Sequence, residues 1–328
     1  MYQPSLLVFL ALFFALGVAL AVGWGIGQAP RRHAVAGLAV SLALVMGLSL
    51  ISRFHPAFFP SVMPLEMHVW LEGTMPAYPF MVLVGILAAG KFGESWERHK
   101  RLLALLGIVY FLFNAIWMVL PDIQPDAEEN RSIGGVTLQS GPDTCAPSAA
   151  ATLLRRMGYN WSEAEMCRIV RARPSRGSTL ARTAYGLRQI LAPHGYDVTI
   201  EPLTVLELAT RAVNGKPSLV TIQSNLAADH MVAVVDRLGT YVIVANPSPG
   251  THGRYGPVDV QLNFGYEMYA IEDFQQMYRG AAIVIGAIDF RPRPKPRATD
   301  WKNVEAALAK GREPAEEEGR DGGGAAST

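Results

Sequence analysis

Two hydrophobic patterns divide this chain. Up to about residue 121 the apolar positions form long unbroken runs, and from residue 135 they recur at helical or alternating spacing. Residues 5–24, "SLLVFLALFFALGVALAVGW", carry no charge and are long enough to cross about 30 Å of hydrocarbon. Further runs follow at 34–51, at 76–90 (the shortest) and at 103–120. The N-terminus has no basic residue and a second apolar run follows at once, which reads as a membrane span rather than a cleaved leader. Residues 1–121 are therefore expected to form an all-α multipass membrane domain of about four transmembrane helices, with 122–134 as a linker.

The second pattern predicts a folded domain over 135–290. Ala150, Leu153, Leu154 and Met157 share one face of a helix opening at Cys145 and ending at Gly158. Ser162 with Glu165 forms a capping box for a helix to 170, and Thr204 with Glu207 forms another for a helix stopping at Asn214-Gly215. Leu180, Ala184, Leu187 and Leu191 line a helix between them. Strands are predicted at 196–201, 217–223, 230–237, 240–246, 267–271 and 281–288, with a tight turn at 237–240. Helices come first and strands later, so the class is α+β. Residues 291–328, rich in Pro, Glu and Gly, read as a mostly disordered tail with a short helix near 301–310.

Charge places these parts. The loops after the first and third runs carry Arg31 and Arg32, then Lys91, Arg98, Lys100 and Arg101. The loop after the second has Arg53 against Glu66 and Glu72, and the stretch after the fourth is acidic. The positive-inside rule puts the N-terminus and everything beyond residue 121 outside the cytoplasm. His33, His55, His68 and His99, near span ends, read as interfacial histidines facing water. No span carries a central ionisable residue, so nothing marks a transport path. The net charge of +1 argues against a nucleic-acid partner. No cofactor or metal is implied, since the two cysteines form no C-x-x-C pair.

Those two cysteines differ in setting. Cys167 lies on the packed face of a helix and reads as a buried free thiol. Cys145 opens a helix, where backbone N–H groups and the positive dipole end point at its sulfur and are expected to lower its pKa. His230 opens an apolar strand, and the 237–240 turn brings Asn246, at the end of the next strand, to the same sheet edge. The Asn246 carbonyl is then placed to accept the imidazole N–H and fix its tautomer. Gln139, six residues before the cysteine with Gly141-Pro142 bending the loop between, is placed to give the second donor of an oxyanion hole beside the Cys145 N–H. The set forms a candidate cysteine acyl-transfer site. Gly134-Gly135 reads as a flexible lead-in to the first strand.

Gln, five residues, Cys, a helix, then a His-led strand ending in Asn-Pro-x-x-Gly resembles the double-glycine leader peptidases of bacteriocin exporters, papain-like cysteine peptidases. The resemblance covers about 135–290, including "GSTLARTAYGLRQILAPHGYDVTIEPLT" and "YAIEDFQQMYRGAAIVIG". It implies Cys145 as nucleophile, His230 as general base, Asn246 as the ring-orienting residue and Gln139 in the oxyanion hole. The chain departs from the family in reading Cys145-Ala146-Pro147 instead of Cys-Gly-Pro and Asn246 instead of Asp, and it has no ATPase P-loop. The expected function is a membrane-anchored cysteine peptidase of the bacterial inner membrane with its papain-like domain extracytoplasmic. Its partners would be a peptide or protein substrate, the lipid bilayer and an unidentified membrane protein. An amidase or transpeptidase on the same scaffold, or a non-catalytic peptide-binding or sensor module, are the alternatives.

Overall fold

The computed structural model of the chain describes residues 6–72, 75–90, 102, 105–107, 109, 123, 131–174, 177–223, 229–248, 260–262 and 265–287. The chain divides into Met1–Phe290 and Arg291–Thr328; the second unit, with the tail expected to be disordered, lies outside the described residues.

The N-terminal apolar runs are helices: α1 (Leu6–Gln28), α2 (Arg31–Phe54) and, after two short helices α3 (Phe58–Val62) and α4 (Leu65–Leu71), α5 (Ala77–Ala89). Among the described residues only Arg31–Ser52 is by itself long and apolar enough to cross a bilayer; Phe14–Gln28 and Ala77–Ala89 are shorter apolar stretches. The run expected at 103–120 falls almost wholly outside the described residues.

Small residues let α1 and α5 touch backbone to backbone. A methyl on Gly23 would collide with the Val82 backbone, one on Gly85 with that of Leu20, and one on Gly27 would sit 2.8 Å from the Ile86 carbonyl oxygen. Gly23 and Gly27 are a G-x-x-x-G pair, the spacing that lets helices in lipid approach closely.

The α3–α4 segment folds back on itself. His68 is buried and stacks on Phe59, centroids 5.8 Å apart, so it does not face water as expected; its ring fills the space between the two short helices. His99 lies outside the described residues. Glu66 and Glu72, at either end of α4, reach the folded domain: Arg188 Nη1 lies 3.1 Å from Glu66, and Arg182 Nε 3.2 Å and Thr179 Oγ1 2.8 Å from Glu72.

The folded domain opens with a two-strand hairpin, β1 (Ser132–Ile133) and β2 (Val136–Thr137). Gly134 and Gly135, both at positive φ (58° and 87°), form its turn, the conformation a two-residue hairpin requires and only glycine adopts freely. That pair is thus a fixed corner, with Tyr266 Oη donating to the Gly134 carbonyl, and not a flexible lead-in.

Three helices follow: α6 (Cys145–Arg156), α7 (Glu163–Val170) and α8 (Leu180–Leu191). Next come β3 (Tyr196–Glu201), α9 (Val205–Val213), β4 (Ser218–Gln223), β5 (Asp229–Leu238), β6 (Tyr241–Ala245), β7 (Val260–Leu262), β8 (Tyr266–Ala270), α10 (Ile271–Met277) and β9 (Tyr278–Ala287). Both capping boxes form as the sequence predicts. The strands make one antiparallel sheet in the order β3-β9-β4-β5-β6-β8-β7. On one face Val220, Ile222, Val232, Val234, Val242 and Val244 pack under α9 and α10. The intervening Leu219, Met231, Ala233, Ile243 and Ala245 are equally buried and face the other way, where α6 lies against β5. With both faces covered the central strands read as continuous apolar runs. Cys167 is fully buried and stands outside any disulfide.

Candidate active site

The site forms where the sheet opens. β5 pairs with β4 from Asp229 onward, but with β6 only from Ala233, opposite Ala245. The β5 backbone before Ala233 thus has no β6 neighbour. His230 lies on the same strand face as Val232 and Val234, and Asn246 continues the face of Val244 just past the last β5–β6 pair. The two meet diagonally, with His230 Nε2 2.8 Å from Asn246 Oδ1, and both are buried.

Asn246 is fixed on every side. Its Oδ1 also accepts the Ser248 N–H at 2.9 Å, its Nδ2 donates to Glu267 Oε2 at 2.8 Å, and its backbone N–H donates to the Gly265 carbonyl at 2.9 Å. Because Oδ1 faces His230, Nε2 of the ring is the protonated nitrogen and Nδ1 is left as the basic one.

Cys145 is the first residue of α6, as expected. The backbone N–H groups of Met231, Ala146 and Cys145 itself act on its sulfur, which puts the thiol near the stretch of β5 that follows His230. The loop ahead of it is a closed turn. The Gly141 N–H donates to Thr144 Oγ1 at 3.1 Å and Thr144 Oγ1 donates back to the Gly141 carbonyl at 3.0 Å. Gln139 Nε2 donates to the same carbonyl at 2.9 Å, and the Gln139 N–H donates to the Pro247 carbonyl at 2.8 Å. Gln139 is thereby tied to the residue after Asn246.

Electrostatically the pair differs from what the helix start alone predicts. Burial pushes the Cys145 thiol above its ordinary value; the amides of Met231, Ala146 and Cys145 pull the other way, and the Asp143 carboxylate adds a further push upward. Burial also lowers the His230 pKa, against the raising effect of the Asn246 hydrogen bond. Dehydration thus outweighs the helix dipole, whose effect is modest and confined to the first turn. Both shifts work against a charged Cys145 and a charged His230.

Sequence reasoning missed the supports of this set. Glu267, buried in β8, also accepts from Tyr269 Oη at 2.7 Å. Glu163, buried at the start of α7, accepts the Ser140 N–H at 2.9 Å and its Oγ at 3.1 Å, holding the turn between Gln139 and Cys145. The legible signal for Glu267 was a lone carboxylate on the inward face of an apolar strand, since Glu267 and Tyr269 alternate with Met268. Glu163 carries no such mark, sitting in a helix first turn where acids are common.

No family model and no curated protein matches the chain. Among solved structures it is similar to peptidase domains of double-glycine leader peptidases. One is that of Streptococcus ComA, a bi-functional ABC transporter involved in a quorum sensing pathway: 18% identity over 46% of this chain and 96% of that one, TM-score 0.36. A double glycine motif protease from an AMS/PCAT transporter, solved with its leader peptide, shares 17% identity over 50% and 99%, TM-score 0.34. The Streptococcus mutans ComA peptidase domain shares 15% over 46% and 98%, TM-score 0.31.

Proposed function

We propose that this chain is a membrane-anchored cysteine peptidase with a papain-like domain. The observation that carries the reading is the buried His230–Asn246 hydrogen bond of 2.8 Å, beside a helix that begins at a cysteine. In this scheme Cys145 Sγ attacks the scissile carbonyl carbon as its proton passes to His230 Nδ1. The tetrahedral oxyanion is held by the Cys145 backbone N–H and by the side-chain Nε2–H of Gln139 that is not engaged with Gly141. Nδ1 returns its proton to the departing amine, leaving a thioester. Water then loses a proton to Nδ1, adds to the thioester and releases the acid, and the thiol is restored.

The α4–α8 ion pairs support placing the 55–76 loop and the peptidase domain on one side of the membrane. With α1 and α2 before that loop, α5 and the 103–120 run then cross as a pair, and the basic loops put the shared side outside the cytoplasm. A second reading, a peptide-binding module with an inert thiol, draws on the upward push that burial gives Cys145.

The rate of Cys145 alkylation by iodoacetamide against pH, read by mass spectrometry of the full-length chain in detergent, separates the two. A neutral pair with His230 as base gives a rise that begins below pH 6.5, the ordinary histidine value, since burial lowers the His230 pKa. His230→Ala should abolish this limb and leave only a rise above the ordinary thiol value. A wild-type profile already lacking the limb would favour the inert-thiol reading.

A further inference from the structure

The site holds a charge that its triad lacks. An Asn at the third position gives the imidazole an acceptor but no negative charge to offset the imidazolium formed when the base takes a proton. That charge lies one residue further back. Glu267 is 2% exposed, and its Oε2 accepts both Asn246 Nδ2 at 2.8 Å and Tyr269 Oη at 2.7 Å. The run Tyr269–Glu267–Asn246–His230 follows from register, because Val244 pairs with Glu267 and Val242 with Tyr269, placing all four side chains on one sheet face.

We propose that Glu267 is a positioning residue of this site, which orients Asn246 and supplies through its amide the negative charge behind His230. The orienting part follows from donor and acceptor identity. A carboxylate oxygen only accepts, so the Asn246 NH2 must face Glu267 and its carbonyl must face His230 and the Ser248 N–H. Turned over, the amide would set oxygen against carboxylate on one side and N–H against N–H on the other. Fixing the amide fixes the Nε2–H tautomer and so makes Nδ1 the base. The electrostatic part follows from burial: a charge in low dielectric acts on the imidazolium with little screening, and the intervening amide is polarised in the same sense. A carboxylate buried at this depth is rarely kept without a partner or a use.

The inference rests on the peptidase reading, and its test separates the two. Alkylation of Cys145 by iodoacetamide is measured against pH in the full-length chain for wild type, Glu267→Gln, Asn246→Asp and the double variant. Glu267→Gln keeps an acceptor for Asn246 and loses the charge. Its His230-dependent limb should move to lower pH by roughly one unit, with the fold intact by circular dichroism. Adding Asn246→Asp to it returns a charge directly to the imidazole and should carry the limb back to wild-type pH or above. A wild-type limb that Glu267→Gln leaves in place would overturn the inference alone; the lack of any limb in wild type would overturn the peptidase reading with it. Should Glu267→Gln fail to fold, Asn246→Asp alone reads the same contact. Two carboxylates then share one proton and must add a transition above the ordinary carboxylate range, and a profile without it overturns the proposal.

Discussion

At the scale of single residues, Gln139 has the most separable role. Its backbone N–H is fixed to Pro247 and its side chain to Gly141, so its position depends on the same sheet edge that orders Asn246. An oxyanion-hole donor acts only where oxygen gains charge, and removing one typically costs about 10²–10³ in rate. Gln139→Ala should therefore weaken reversible binding of a small peptide aldehyde, whose hemithioacetal places an oxygen in the hole, by about a hundredfold. The same variant should leave iodoacetamide alkylation of Cys145 unchanged, because displacement at a saturated carbon forms no oxyanion. Equal loss in both assays would mean that Gln139 shapes the loop around Cys145 and does not stabilise charge. The four candidate residues were legible because each stands at an element boundary, where a polar or nucleophilic side chain interrupts an apolar pattern. Their effect on one another was not. A helix start argues for a lowered thiol pKa, whereas the packed sheet around it pushes the thiol up, and only tertiary burial reveals which wins.

At the scale of elements, the contact between α1 and α5 carries a prediction with a sign. Alanine is favoured over glycine inside a helix by about 1 kcal/mol, so Gly17→Ala and Gly25→Ala, where nothing lies within 4 Å of the added methyl, should raise the thermal midpoint of the detergent-purified chain slightly or leave it alone. Gly23→Ala and Gly85→Ala drive a methyl into facing backbone, of Val82 and of Leu20, and should lower it. A uniform rise across all four would show that the two helices do not pack in this register. The helices and strands of the folded domain match their predicted ranges to within a few residues because capping boxes and apolar periodicity are local signals. The elements that escaped, α3, α4, α10, β1, β2 and β7, are each seven residues or fewer, too short for a period to repeat, and exist because longer-range contacts hold them. Gly134-Gly135 was ambiguous for a related reason: glycine permits a tight corner as readily as a loose one, and the pairing of Ile133 with Val136 decides it.

At the scale of the whole molecule, Glu66 and Glu72 join two regions whose sequence patterns share nothing. Along the sequence they counted only as acidic residues weighing on loop orientation; folded, they are the acceptors for Arg188 and Arg182 on α8 and for Thr179, which caps it. Partly exposed pairs of this kind contribute little each to stability, about 0–1 kcal/mol, so they serve better as a statement of geometry than of strength. The geometry has a topological consequence. A loop in contact with the folded domain cannot lie across a bilayer from it, so the four-span reading requires an even number of crossings between residue 72 and residue 131. Cysteines placed at Met67 on α4 and at Leu206 on α9, both exposed, read this directly in a Cys145→Ser background, with Cys167 buried. A membrane-impermeant maleimide added to intact cells expressing the full chain should label both positions, and a cysteine at Arg32, in the first turn of α2, should stay unlabelled until the membrane is opened. Labelling of Met67→Cys without Leu206→Cys would break the four-span arrangement and the α4–α8 contact together. Labelling of Arg32→Cys alone would keep the contact and turn the folded domain to the cytoplasmic side.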